Sequence, residues 1–257
     1  AVVVVSPQRR VLHLIQRQAQ AMTCWLDQEN ARASAHLAVV SAGEWATQNV
    51  ETAIQLSETF LADLGFDLRL PAVRTLVRHL VRILAASAQA TGHDLAFTDL
   101  YAIGQSTQTL RAFLADLQSL VDGPSGTSGQ GLDPEARDSI SYLSDQLDGE
   151  VGYVQVVTTL SLLRAVLSPL RSGAVHVLCR PPFLNVGQAL SRPSLLLVPL
   201  TNADFPQHDR FLAAMLTLAL DQARTANPNL RLALHLHDAY RYLSDAGQLR
   251  IDLQGQD

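Results

Sequence analysis

Apolar residues follow two spacings along this chain, and the places where one gives way to the other divide it into segments. Val2 to Val5 is an unbroken β-branched run, the pattern of a strand covered on both faces. Ser6-Pro7 reads as a helix start, with a hydroxyl at the N-cap and proline at the first helical position. Val11, Leu12, Leu14 and Ile15 then carry that helix towards Trp25. His36 to Ala42 (HLAVVSA) predicts a second short strand, closed by Gly43. The first 48 residues therefore read as a parallel β-α-β unit with a right-handed crossover.

From Asn49 to Leu120 the spacing is helical throughout. ETAIQLSETFLADLG is amphipathic and stops at Gly65; Pro71 opens a longer helix that runs to Thr91-Gly92; Thr98 caps a short one; Leu110 to Val121 forms another. Asp122 to Leu132 (DGPSGTSGQGL) has linker composition. This predicts an all-α insertion over 49–132, with 133–257 returning to the sheet. Asp133-Pro134-Glu135 restarts a helix with a cap, a first-turn proline and a first-turn acid. The apolar stretch Val151 to Leu170 predicts a helix buried on most sides. After Arg180-Pro181-Pro182, Asn185 to Leu190 reads as a short helical turn and Leu195 to Leu200 as a strand. Pro206 opens a helix carrying Phe211, Leu212, Met215, Leu216, Leu218 and Leu220. Leu230 to Leu236 and Leu249 to Leu253 read as two further strands. The fold class expected is α/β, a mainly parallel sheet interrupted by helices.

Composition narrows this picture. Hydrophobic residues make up 47% of 257, which excludes a disordered chain. The net charge of −5 argues against a generally basic, nucleic-acid-coating surface. All 19 basic residues are arginine. With no lysine, these residues hold neither a Walker A motif, G-x-x-x-x-G-K-[ST], nor a Schiff-base nucleophile. Cys24 and Cys179 are widely separated, as expected of reduced thiols in a cytoplasmic protein. No run of 18 apolar residues predicts a membrane span. An opening inside a strand, without methionine, is the expectation for a piece of a longer protein.

The candidate chemistry gathers at the end of one strand, His235-Leu236-His237-Asp238. A buried parallel strand that ends in acids is how P-loop ATPases present carboxylates to magnesium and to the attacking water. Asp238 also reads as the N-cap of a helix over Ala239 to Leu243, and the residues leave both readings open. His235 and His237, two apart, share one strand face. With His176 and His208 they do not form a spacing that assigns a metal site. Neither a G-x-S-x-G elbow nor a G-x-G-x-x-G turn is present. Arg74, Arg78 and Arg82 recur every fourth residue beside an apolar stripe. They read as a phosphate-binding row for nucleic acid, or as a solvated face pairing with acids such as Asp63 and Asp67.

The order of these parts resembles the HerA/FtsK-type P-loop DNA translocases, and in particular the coupling proteins of type IV secretion. VVVVSPQRRVLHLI stands where that family has a strand ending in a D-P-K-G-like turn, of which only the proline is kept. The strand HLAVVSA, an Asn at 49 and a helical insertion follow in the same order. YVQVVTTLSLLRAVLSPL, FLNVGQALSRPSLLLVPL and LRLALHLHDAYRYL are similar to the elements leading to and forming the Walker B strand. The resemblance implies a RecA-like fold, ATP and Mg2+ as cofactors, DNA as partner and a hexameric assembly. His237 would stand at the magnesium-binding aspartate and Asp238 at the water-activating glutamate. Histidine is a poor substitute there, because magnesium takes oxygen ligands. The expectation is a divergent ATPase-type domain not competent for hydrolysis as this chain stands, or a non-catalytic scaffold that keeps the fold.

Overall fold

A computed structural model describes residues 1–6, 8–25, 49–122, 133–171, 194–199, 206–226, 229, 231 and 233–237. These divide into two compact units, one drawn from 1–37 and 171–257, the other from 38–170. The chain is mixed α/β.

The first unit is built on four strands, β1 (Val2–Ser6), β2 (Met22–Trp25), β3 (Ser194–Pro199) and β4 (Ala233–Leu236), in the order β2-β3-β1-β4. Every pairing is parallel, with Val4 opposite both Leu197 and His235. Parallel strands need long connections, and the described helices α1 (Arg9–Gln18) and α8 (Pro206–Ala226) lie in those joining β1 to β2 and β3 to β4, each of which passes over one intervening strand. All six residues of β3 are buried. That coverage of both faces is what an uninterrupted SLLLV run, rather than an alternating one, specifies. On one face Leu12 of α1 packs with Val4, Leu195 and Leu197, and Ile15, Ala19 and Trp25 close over them. On α8, Phe211, Met215, Leu218 and Ala223 are buried at three- to five-residue steps.

Two expectations for this unit are corrected. Helix α1 stops at Gln18, and Met22-Thr23-Cys24-Trp25 leaves it to become β2. A free edge on β3 wins over helical continuation here, and a β-branched and an aromatic residue suit the strand. Strands β1 and β2 are parallel, with β3 between them. Ser6 is the last residue of the strand and not a helix cap; the position before α1 is Gln8. The predicted strands His36–Ala42 and Leu249–Leu253, the turn Asn185–Leu190, the linker over 123–132 and Asp238 lie outside the described residues.

The second unit is helical: α2 (Val50–Asp63), α3 (Pro71–Thr91), α4 (Phe97–Ile103), α5 (Thr107–Asp122), α6 (Pro134–Asp148) and α7 (Glu150–Val166), followed by a 3₁₀ turn, Ser168–Arg171. Asn49 caps α2, its Oδ1 accepting from the Thr52 amide at 2.8 Å. Helix α3 ends on Gly92 in the left-handed region, φ 66°, where a side chain is disfavoured. Asp133 caps α6 as its sequence implies. Thr98 does not cap α4: Ala96 holds that position, and Asp99 reaches back to accept the Ala96 amide at 2.8 Å. The core is aliphatic around Leu76, Leu80, Ile83, Leu110, Leu143 and Leu163, with Phe60 stacked on Phe97 at 3.8 Å. Helices α6 and α7 pack with α3 and α5, so the unit continues to Leu170 and the break proposed at 132 falls inside it. Helix α7 is not buried on most sides; only Val156, Thr159, Leu160 and Leu163 are.

Candidate functional site

In open parallel sheets, ligands gather at the C-terminal ends of the strands, so the residues that end β1 and β4 are the first to consider. These two strands are neighbours, and the chain leaves them at Ser6 and His237. The His237 amide donates to the Val5 carbonyl at 2.9 Å, extending the ladder one residue beyond β4. Its ring Nδ1 lies 3.2 Å from Ser6 Oγ. The Gln8 amide donates to the same hydroxyl oxygen at 3.0 Å. A serine hydroxyl has a single proton and two lone pairs. It accepts the Gln8 N–H and shares its second bond with imidazole, which thereby takes a fixed orientation.

Ser6 is fully buried. Its hydroxyl therefore acts inside the fold, joining β1, the start of α1 and β4, and is not presented as a nucleophile. The ring of His237 is half-buried at the sheet edge. His235, on the same face two residues earlier, is exposed. Among the described residues, no cluster of three or more His, Cys, Asp or Glu side chains could hold a metal ion.

Among the described residues at this edge no carboxylate is present; Asp238, which follows His237, lies outside them. Magnesium takes oxygen ligands, most often carboxylates and water. At this edge the described side chains are a neutral hydroxyl committed to two partners and an imidazole. A site for a charged metal–phosphate group needs more negative or polar oxygen than that pair supplies. The sequence singled out His237 but missed Ser6 as its partner. The signal is two short strands that both end in polar groups.

Arg74, Arg78 and Arg82 lie in the helical unit and make a different structure. Helix α2 supplies Glu51 and Glu58, seven residues apart and thus on one face. Glu58 accepts from Arg74 Nε and Nη2, both at 2.9 Å, and from Arg78 Nη1 at 3.4 Å. Glu51 pairs with Arg78 Nη2, and with Arg82 Nη2 at 3.1 Å. Arg82 also reaches Glu135 of α6 at 3.3 Å. The Arg74 guanidinium is the first cause holding the Glu58 carboxyl below its ordinary range, opposed by burial and aided by Arg78. Three arginines thus meet three glutamates. The stripe is an ion-pair seam between α2, α3 and α6, and not a row of cations offered to phosphates. Of the acids expected here, Asp67 instead pairs with Arg69 at 2.9 Å.

Beside this seam, His79 stacks on Tyr142 at 4.1 Å. Ser139 donates its hydroxyl proton to the Glu135 carbonyl at 2.8 Å, so Nδ1–H of His79 donates to Ser139 Oγ at 2.9 Å. Burial, reinforced by Arg82 and Arg78, pushes the His79 imidazole below its ordinary value. An open groove of about 700 Å³ runs along α2 and the turn after it, lined by Gln55, Glu58, Thr59, Asp67, Arg69 and Arg74. Its charged residues are already paired with one another.

No protein-family model matches this sequence, and no curated protein matches it. No helix among the described residues is long and apolar enough to cross a membrane.

Proposed function

We propose that this chain is a divergent domain of the P-loop motor type, related to the DNA-translocating coupling ATPases, which keeps the RecA-like sheet without hydrolysing ATP. The observation that carries this reading is the β1–β4 edge. The parallel sheet brings two strand ends together, and the described side chains that meet there are a serine and a histidine rather than carboxylates. The absence of lysine from all 257 residues points the same way. A DNA partner and a hexamer rest on the sequence resemblance alone; the guanidiniums of the arginine stripe pair with glutamates.

Titration of the whole chain with Mg2+-ATP, followed by calorimetry and by phosphate release, tests the reading. The expected result is no saturable heat at millimolar nucleotide and no turnover above background. Turnover that His237→Ala or Ser6→Ala abolishes would overturn it.

The second reading, a protein-interaction scaffold on the same fold, is favoured by a separate observation. Helix α7 turns a run of apolar side chains outward, with Val151, Val154, Val157 and Leu162 all exposed.

A further inference from the structure

The exposed side of α7 has an order that scattered surface residues lack. Its buried positions, Val156, Thr159, Leu160 and Leu163, lie on one side. Val151, Val154, Thr158, Ser161 and Ala165 lie on the other, all exposed, and recur at alternating steps of three and four. That is the spacing of a coiled-coil seam, apolar or small at every position. Val151 is 73% exposed and Val154 61%. Single exposed valines need no explanation; heptad spacing along an exposed helix face is the arrangement a second helix would cover.

We infer that α7 pairs with α7 of a second copy of this chain, antiparallel and across a two-fold axis. Charge selects this occupant. Glu150 in the first turn and Arg164 in the last both flank the seam on one side, with Val157 midway between them. In an antiparallel pair, flanking positions on that side face their own kind in the partner. Glu150 then meets Arg164 of the other copy, Arg164 meets the other Glu150, and Val157 meets itself. The seam layers become Val151 on Ser161 and Val154 on Thr158, each twice. A parallel pair would place Glu150 beside Glu150 and Arg164 beside Arg164, with like charges repelling at both ends. The helix dipoles also oppose one another favourably in the antiparallel arrangement. Arg164 keeps donors for this contact, because its bonds to the Gln105 carbonyl and Ser161 Oγ take two of its five N–H groups.

Serine, threonine and alanine in the seam let the two helix backbones approach closely. They also bury little area. The pair therefore belongs with small, weak and transient interfaces. This inference does not rest on the motor reading and is tested independently of nucleotide.

Sedimentation velocity of the whole chain across about 1–300 μM, a span bracketing that weak class of affinity, is expected to give a monomer–dimer equilibrium. Glu150→Arg and Arg164→Glu should each weaken it about tenfold, because each creates two like-charge contacts. The double variant carrying both reversals should restore dimerisation, since the pairs re-form with their signs exchanged. Val154→Asp, an exposed substitution that leaves the helical circular dichroism intact, should abolish it. A monomer throughout the range, an association unmoved by the single reversals, or a double variant no better than either single one would overturn the proposal.

Discussion

Glu58 is the residue whose removal separates a structural seam from a surface decoration. Its side chain is only 11% exposed, and it takes two bonds from Arg74 at 2.9 Å with Arg78 at 3.4 Å behind. A charge-assisted bond contributes about 1.5–3 kcal/mol net when sheltered, and an exposed pair about 0–1. Arg74 is 54% exposed and Arg78 30%, so the full sheltered value does not apply. Glu58→Gln keeps the shape, loses the charge and turns an amide N–H₂ towards guanidinium; it should cost the helical unit about 2 kcal/mol. Because the chain has two units, a single melting temperature would blur the effect. Amide exchange in α2 and α3, with urea unfolding followed at 222 nm, reads the right unit. Arg74→Gln should cost less than Glu58→Gln, as Arg78 still serves the carboxylate, and the double variant should fall short of the sum. The pH dependence has a fixed sign. A carboxyl held below its ordinary value stabilises fully above the unfolded value of about 4.3, and that contribution is lost as pH falls through the folded value. The gap between wild type and Glu58→Gln should therefore be level at neutral pH and close in acid. A loss under about 0.5 kcal/mol at pH 7, or a gap that widens in acid, would mean the seam is ordinary solvated pairing.

Two glycines and one histidine give sharper contrasts. A Cβ at Gly152 would sit 2.6 Å from the Gln146 carbonyl oxygen and 2.8 Å from its Cα, so Gly152→Ala must push α6 from α7 and should cost about 1–3 kcal/mol despite alanine's helical preference. At Gly92 nothing lies within 4 Å and only the left-handed backbone objects, so Gly92→Ala should cost about 1–2 kcal/mol with no change in α6–α7 exchange protection. Equal disturbance of that interface by both variants would refute the distinction. The neutral form of His79 is favoured in the folded state, so its contribution is complete above about 6.5 and is lost as pH falls below that value. Urea unfolding at pH 7.5 and 5.5 should show wild type losing more stability than His79→Asn; an equal loss would sink the assignment.

What was legible in the sequence was the part governed by short-range rules. β1 and β3 follow from unbroken apolar runs, α3 from Pro71 and Gly92, and α6 from Asp133 and Pro134; each signal names its own boundary. What was illegible depended on neighbours far along the chain. MTCW becomes a strand because β3 presents an edge to it, and β3 begins about 170 residues later. The length of the helical unit is set by α6 packing on α3, which no local pattern reports. Helix α7 is the instructive failure. Its composition reads as a core helix, but composition counts apolar residues and does not say how many sides have something to cover them. The unit covers Val156, Thr159, Leu160 and Leu163, and the opposite side is exposed.

For the arginine stripe the alternative of pairing with acids holds, and the acids are Glu51, Glu58 and Glu135. Three cations every fourth residue look like a phosphate reader only while the partners are unknown. The matching acids were present in α2 at a seven-residue spacing, but a search for nearby charges selects Asp63 and Asp67, which are closer in sequence. Helical geometry selects Glu51 and Glu58, which share a face. The same logic bears on the β1–β4 edge. His237 by itself reads as a damaged magnesium ligand. With Ser6 bonded to it and Gln8 bonded to Ser6, it has a structural reason to be histidine: imidazole reaches the buried hydroxyl and fixes the end of β4 against β1. An aspartate in its place would put a carboxylate beside that hydroxyl at the sheet edge. The bonds around His237 tie the end of β4 to β1 and, through Ser6, to the start of α1.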